Sequence, residues 1–212
     1  MNRPQTLALV ALSFAGCGAT AVVDRAPNGQ VVLIRCPQPD VDDLHDLKDE
    51  YGVKTVVNLR GHKPDRTWYR DEQVGVREIG ATWVHLRVSG RSGPTPQGTR
   101  EFLDLVRDPD NWPIVMHCQG GIHRTGVMVG LYRIAIQGWS NEAAIEELED
   151  NWFDWTIEDR SAIKTFLRNY QPDRDPEEQA YGTAQPAEDA APAEDAGELE
   201  SDPLAPDPQP VE

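Results

Sequence analysis

Lysine is scarce in this chain, four residues among 212, and the formal charge is −16. Binding of nucleic acid through its phosphates needs a clustered Lys/Arg surface, so nucleic acid is excluded as a partner class. There is no apolar run of about 18 or more residues, which excludes a transmembrane helix. Aromatic residues are 7% of the chain, cysteines number three, and 17 glycines, 17 prolines and 39% hydrophobic residues suit one domain of ordinary size plus chain that does not pack. The charge shows where that surplus lies. Residues 171–212 hold 13 acidic residues and one arginine, net −12, and leave 23 acidic against 19 basic residues, net −4, to the first 170.

The two ends differ from the middle. Residues 1–16 combine Arg3, the short apolar stretch Thr6 to Gly16 and small residues before Cys17, the pattern of a secretory signal peptide. Phe14-Ala15-Gly16-Cys17 resembles a bacterial lipobox, with Phe14 in place of the more usual Leu. That resemblance implies lipidation of Cys17, a lipid anchor and a place in the cell envelope outside the cytoplasmic membrane, facing the periplasm. The alternative is a buried N-terminal element ending in a structural cysteine. Residues 17–27 are expected to be a short linker. From residue 171 to 212 the chain is rich in Pro, Ala, Asp and Glu, with PAEDA at Pro186 to Ala190 and again at Pro192 to Ala196. Such composition cannot bury enough apolar surface to offset chain entropy, so a disordered acidic tail is expected, a spacer or a protein-contact segment.

Between residues 28 and 170 short β-rich runs alternate with amphipathic ones. Val31 to Arg35, Lys54 to Leu59, Thr82 to Val88 and Pro113 to His117 read as strands. Helices are expected over Val41 to Tyr51, capped by Asp40 and stopped by Gly52, and over Thr67 to Ile79 and Gln97 to Arg107. Thr125 to Gln137 is apolar nearly all round, so this helix should be central and buried. Two further helices are expected, capped by Ser140 and by Thr156. Asn151-Trp152-Phe153-Asp154-Trp155 between them reads as packing, the alternative being a membrane- or substrate-facing lip. The pattern is an α/β domain with a parallel-rich central sheet flanked by helices.

The chemistry concentrates in His117-Cys118-Gln119-Gly120-Gly121-Ile122-His123-Arg124-Thr125-Gly126, between a buried strand and a buried helix. Five residues between Cys118 and Arg124 let the backbone curl into a cradle of N–H groups in front of a helix N-terminus, a dianion site. The same field favours thiolate over thiol at Cys118 and makes it a nucleophile. Arg124 can grip two phosphoryl oxygens in a bidentate fork, and Thr125 is placed to donate its hydroxyl to the sulfur. His117 reads either as a support for the thiolate or as a satisfied core histidine. A metal site from His117, Cys118 and His123 lacks further ligands, and no cofactor is expected.

HCxxGxxRT resembles the signature loop of the cysteine-dependent protein tyrosine and dual-specificity phosphatases. Arg35-Cys36-Pro37-Gln38-Pro39, Asn58-Leu59-Arg60 and His123 to Gly126 resemble its compact bacterial and atypical dual-specificity branch, over about Val31 to Tyr170. The resemblance implies that Cys118 attacks phosphorus to form a phosphocysteine. It implies that Arg124 binds the phosphoryl group, and that Gln119, Gly120, Gly121, Ile122 and His123 contribute backbone amides. The implied substrate is a phosphorylated protein or a small phosphomonoester.

The family also uses a general acid, usually an Asp on a loop before the cysteine. The corresponding loop here, Ser89 to Pro96, has no carboxylate. Asp110 is the next candidate, although it follows the Gln97 to Arg107 helix. Without an acid, stable leaving groups such as aryl phosphates or phosphoanhydrides should be preferred. Few cations in the loop argue for phosphoprotein over inositol phosphates. Two other readings compete: a phospho-binding pseudophosphatase with little turnover, and a rhodanese-like sulfurtransferase, which has a shorter loop without Arg-Thr. Cys36 is expected to be a small packed residue, or a second thiol able to trap oxidised Cys118.

Overall fold

The structure is a computed structural model that describes residues 20–150 and 161–176. Five strands form one sheet in the order β1-β2-β5-β3-β4: β1 Ala21–Arg25, β2 Val31–Cys36, β3 Thr55–Asn58, β4 Thr82–His85 and β5 Ile114–His117. All neighbours are parallel except the antiparallel pair β1 and β2. The central strand β5 is entirely buried, which explains its uninterrupted apolar run. Its side chains alternate between two cores. Ile114 and Met116 join a cluster with Phe102, Leu131 and Leu167, whereas Val115 joins one with Leu44, Val56 and Val76.

Among the described residues, six helices cover the two faces: α1 Val41–Tyr51 and α2 Thr67–Glu78 on one, α3 Pro96–Arg107, α4 His123–Ala135, α5 Asn141–Asp150 and α6 Ser161–Asn169 on the other. The start of α1 is set by a reciprocal cap in which Asp40 accepts from Asp43 N and the Asp43 carboxylate accepts from Asp40 N. It ends at Gly52, in the left-handed conformation with φ 71°. The N-terminal turn of α3 is capped by Thr95, whose hydroxyl accepts from Gly98 N, with Pro96 in the first position. Buried residues surround α4, from Thr125 through Ile134, as its apolar sequence requires.

Three sequence expectations need correction. Residues 17–27 are not all linker, because Ala21–Arg25 form β1 and complete a hairpin with β2. The turn carries Asn28-Gly29, with Gly29 at φ 85° and Asn28 Oδ1 accepting from Gln30 N. The strand over Thr82 to Val88 is shorter, since β4 is an edge strand and pairs with β3 only through His85. Helix α4 starts at His123, two residues earlier than its apolar run suggests. Ser140 does cap α5, its hydroxyl accepting from Ala143 N. The expectations for residues 1–16, Cys17, the Trp-rich segment, the Thr156 cap and the tail beyond Pro176 lie outside the described residues. At residues 171–176 the chain follows Tyr170, which is buried against the main core, and Asp175 pairs with Arg100.

Candidate active site

The parallel strands end together on one edge of the sheet, and β5 runs directly into the loop that holds the chemistry. Cys118 follows the last strand residue and is 4% exposed; Gln119 and Gly120 are exposed, while Ile122, His123 and Arg124 are half-buried. Helix α4 begins at His123 with no side-chain cap. Its first-turn amides therefore have no acceptor within the helix, which is the arrangement that receives an anion. Thr125 is fully buried and its hydroxyl has no hydrogen-bond partner among the described residues.

The loop is held by close backbone contact. Gly121 has φ 65°, and a Cβ there would lie 2.6 Å from the carbonyl carbon and oxygen of Cys36 and from Pro37 N. Arg35 donates from Nη2 to the Gly121 carbonyl at 2.8 Å, and Gln38 N donates to the Gln119 carbonyl at 3.0 Å. The segment Arg35 to Gln38 is thus a bracket against which the loop is moulded.

Behind the loop lies a residue that the sequence reading missed. Glu72 of α2 is fully buried, and its carboxylate accepts four hydrogen bonds. Oε1 accepts from His117 Nε2 at 2.8 Å and from Trp83 Nε1 at 2.7 Å. Oε2 accepts from Gln38 Nε2 at 2.9 Å and from Asn58 Nδ2 at 3.1 Å. Burial alone would push this carboxyl up, but the hydrogen bond and charge of His117, with the Gln38 and Trp83 donors, bring it below its ordinary value. The signal available in sequence was a single acid in the core-facing row of an amphipathic helix, beside Tyr69 and Val76.

The loop after β4 reaches the other side of the cradle. A Cβ on Gly90 would sit 3.7 Å from Arg124 Nε, so Ser89 to Gly93 lies where a general acid would be carried. It holds mainly to itself, through a backbone pair between Ser89 and Gly93 and the Ser89 hydroxyl accepting from Arg91 N and Ser92 N. Asp110 is elsewhere. It lies in the 3-10 turn Pro109–Asn111 before β5, so the length of the strand, roughly 13 Å, separates it from Cys118. Cys36 pairs in register with His117, yet its side chain belongs to the α1/α2 core and that of Cys118 to the opposite one. Both are free thiols, and burial pushes the Cys36 thiol well up. Among the described residues no group of three or more His, Cys, Asp or Glu side chains could hold a metal ion.

A cysteine at the base of a strand-loop-helix cradle, closed by an arginine and borne on a parallel-rich sheet, defines the thiol-based phosphatases as a class. The family model described as "DSP-PTPase phosphatase fused to NAD+ Kinase" matches residues 21–165. The chain belongs to this family of cysteine-dependent phosphatases.

Among curated proteins, the chain is similar to the dual specificity protein phosphatase TpbA of Pseudomonas aeruginosa, 35% identical over 125 residues, 57% of this chain and 51% of the relative. It is also similar to inositol diphosphatase DSP5 of Arabidopsis thaliana, 39% identical over 142 residues, 60% of this chain and 68% of the relative. It therefore spans about half the length of TpbA. The crystal structure of P. aeruginosa TpbA has a TM-score of 0.54 and 25% identity, over 70% of this chain and 86% of that one. The catalytic core of the PP-IP phosphatase SIW14 from S. cerevisiae, at a TM-score of 0.56 and 22% identity, covers 71% of this chain and 87% of that one and shares the fold.

Proposed function

We propose that the chain hydrolyses phosphate monoesters through a phosphocysteine on Cys118, with phosphotyrosine or another phosphoprotein group as substrate. The thiolate sulfur bonds to phosphorus as the bond to the leaving oxygen breaks. Water then attacks phosphorus, returning the thiolate and releasing inorganic phosphate. Arg124 holds two phosphoryl oxygens throughout, and the amides from Gln119 to His123 share the remaining charge. The buried Thr125 hydroxyl, which bonds to no group among the described residues, Cys118 Sγ included, turns to offer its proton to the sulfur as it leaves. The observation that carries this reading is the joining of Cys118 and Arg124 by a single loop between β5 and the uncapped start of α4.

A second substrate class, phosphoanhydrides, is favoured by the carboxylate-free loop against Arg124 and by the likeness to a protein named an inositol diphosphatase. Without an acid the leaving oxygen departs as an anion, and loss of an acid costs around 10² to 10⁴ in rate for poor leaving groups. Hydrolysis of p-nitrophenyl phosphate that vanishes in Cys118→Ser, with kcat/KM falling steeply as the leaving phenol becomes less acidic, is the expected result. Phosphopeptide binding without turnover points instead to a binding module, and a rate indifferent to the leaving group reveals an acid supplied from elsewhere. The signal-peptide and lipobox pattern supports an envelope location with Cys17 lipidated, which labelling with a fatty-acid probe and its loss in Cys17→Ser would test. The acidic tail is a candidate protein-contact segment.

A further inference from the structure

Glu72 does not reach the cradle, but its partner His117 adjoins the nucleophile. The carboxylate accepts from four N–H donors, and a protonated carboxyl would have to aim its own O–H at one of them, so it is an anion. A buried anion without a compensating charge is strongly disfavoured. Of its four donors, the Gln38 and Asn58 amides and the Trp83 indole are neutral, so His117 is the one that can bring a charge into direct contact; the next cation is the Arg60 guanidinium, one amide away, donating from Nη1 to Gln38 Oε1 at 3.0 Å. The imidazole geometry agrees. Nε2 faces the Glu72 carboxylate at 2.8 Å and Nδ1 faces the Cys118 carbonyl oxygen at 3.4 Å, so the ring stands between two acceptors and meets both well only when both nitrogens bear protons.

We infer that Glu72 is a positioning residue that acts through His117, holding it as an imidazolium with its Nδ1–H on the carbonyl of the nucleophile's own residue. The pair is a fixed dipole whose positive end lies toward Cys118, in a place water does not enter, and it favours the ionised sulfur. The same carboxylate fastens Gln38, whose backbone N–H holds the Gln119 carbonyl, so one buried group sets both the charge and the shape behind the loop. The other titratable and charged groups around the pair are Tyr69 of α2, His85 of β4, Cys36 of β2, Cys118 and, through Gln38, Arg60, with His62 beside His85 and Asp43 facing Cys36. Burial holds His85 below its ordinary value. All are unchanged between variants at positions 72 and 117. The inference rests on the phosphocysteine reading for its effect on rate, and its test needs no turnover.

The experiment uses the full chain with 15N-labelled histidine. The ring signals lost in His117→Asn identify His117, and at pH 7 they should show both nitrogens protonated. Should His117→Asn not fold, the His117 ring is assigned in the wild-type protein by its through-space contact with the Trp83 indole N–H, which shares Glu72 Oε1 with it; a neutral tautomer overturns the inference. In parallel, alkylation of Cys118 by iodoacetamide is read by peptide mass at pH 6. Glu72→Gln, checked for cooperative melting, should slow it at least about tenfold. His117→Asn should slow it equally, and the double variant should add nothing. An unchanged alkylation rate in Glu72→Gln, or losses that add in the double variant, overturns the role through His117.

Discussion

The two flanks of the cradle are built differently. Behind His117 each group is fixed several times over: Glu72 gathers donors from α2's neighbours β3, β4 and β5 and from the loop after β2, while Gly121 presses on the backbone of Cys36. Across from it, the loop from Ser89 to Gly93 folds mainly on itself and offers Arg124 a glycine. Polar groups are expensive to bury unless fully paired, so such a network appears where geometry must not drift. Among the described residues, then, the loop around Cys118 is held rigidly from behind, while the flank beyond Arg124 presents the small residue Gly90.

Substitutions on either flank test that contrast. The largest effect is expected at Gly121→Ala. A left-handed conformation costs an L-residue roughly 1–2 kcal/mol, and the new methyl meets backbone that cannot swing aside, so a loss of at least about 3 kcal/mol is expected by thermal or urea unfolding. Near-wild-type stability would mean the bracket yields. Glu72→Gln comes next, at about 2 kcal/mol near neutral pH, from a buried hydrogen-bond set left partly unmatched. The Glu72 carboxyl is depressed in the fold, so its contribution is full above the ordinary glutamate value of 4.5 and is lost as pH falls through the lower folded value. The part of the Tm gap that comes from the Glu72 carboxylate itself should therefore close only in acid below 4.5. A gap that closes near pH 6 would assign the titration to another group. The smallest effect is expected at Gly90→Ala, where the methyl makes an ordinary 3.7 Å contact with Arg124 Nε and no positive φ is involved. Stability should change by less than about 0.5 kcal/mol, and a larger loss would show that this flank is as constrained as the other.

Much of the domain is legible locally. Asp40 and Gly52 mark the ends of α1 because a carboxylate on first-turn amides and a left-handed glycine are short-range devices. The cradle is legible for the same reason, since its cysteine, its arginine and its helix lie within ten residues of chain. β1 escaped notice because five residues with a half-buried pattern give little periodicity, and only pairing with β2 makes them a strand. Glu72 escaped because an acid on a helix is ordinarily solvated, and nothing near it in the chain announces its donors. Asp110 was considered through nearness in sequence to a catalytic loop from which the length of β5 separates it.

What the amino-acid order determined alone is the strand, the turn of small residues and the apolar helix around Cys118, because each depends on contacts a few residues apart. What the tertiary structure decided is the company of that turn. Placing β5 between β2 and β3 brings Gln38, Asn58 and Glu72, separated from His117 by 45 residues or more, to one buried point. Such a meeting depends on sheet order, which is fixed by the packing of two cores at once rather than by any one segment.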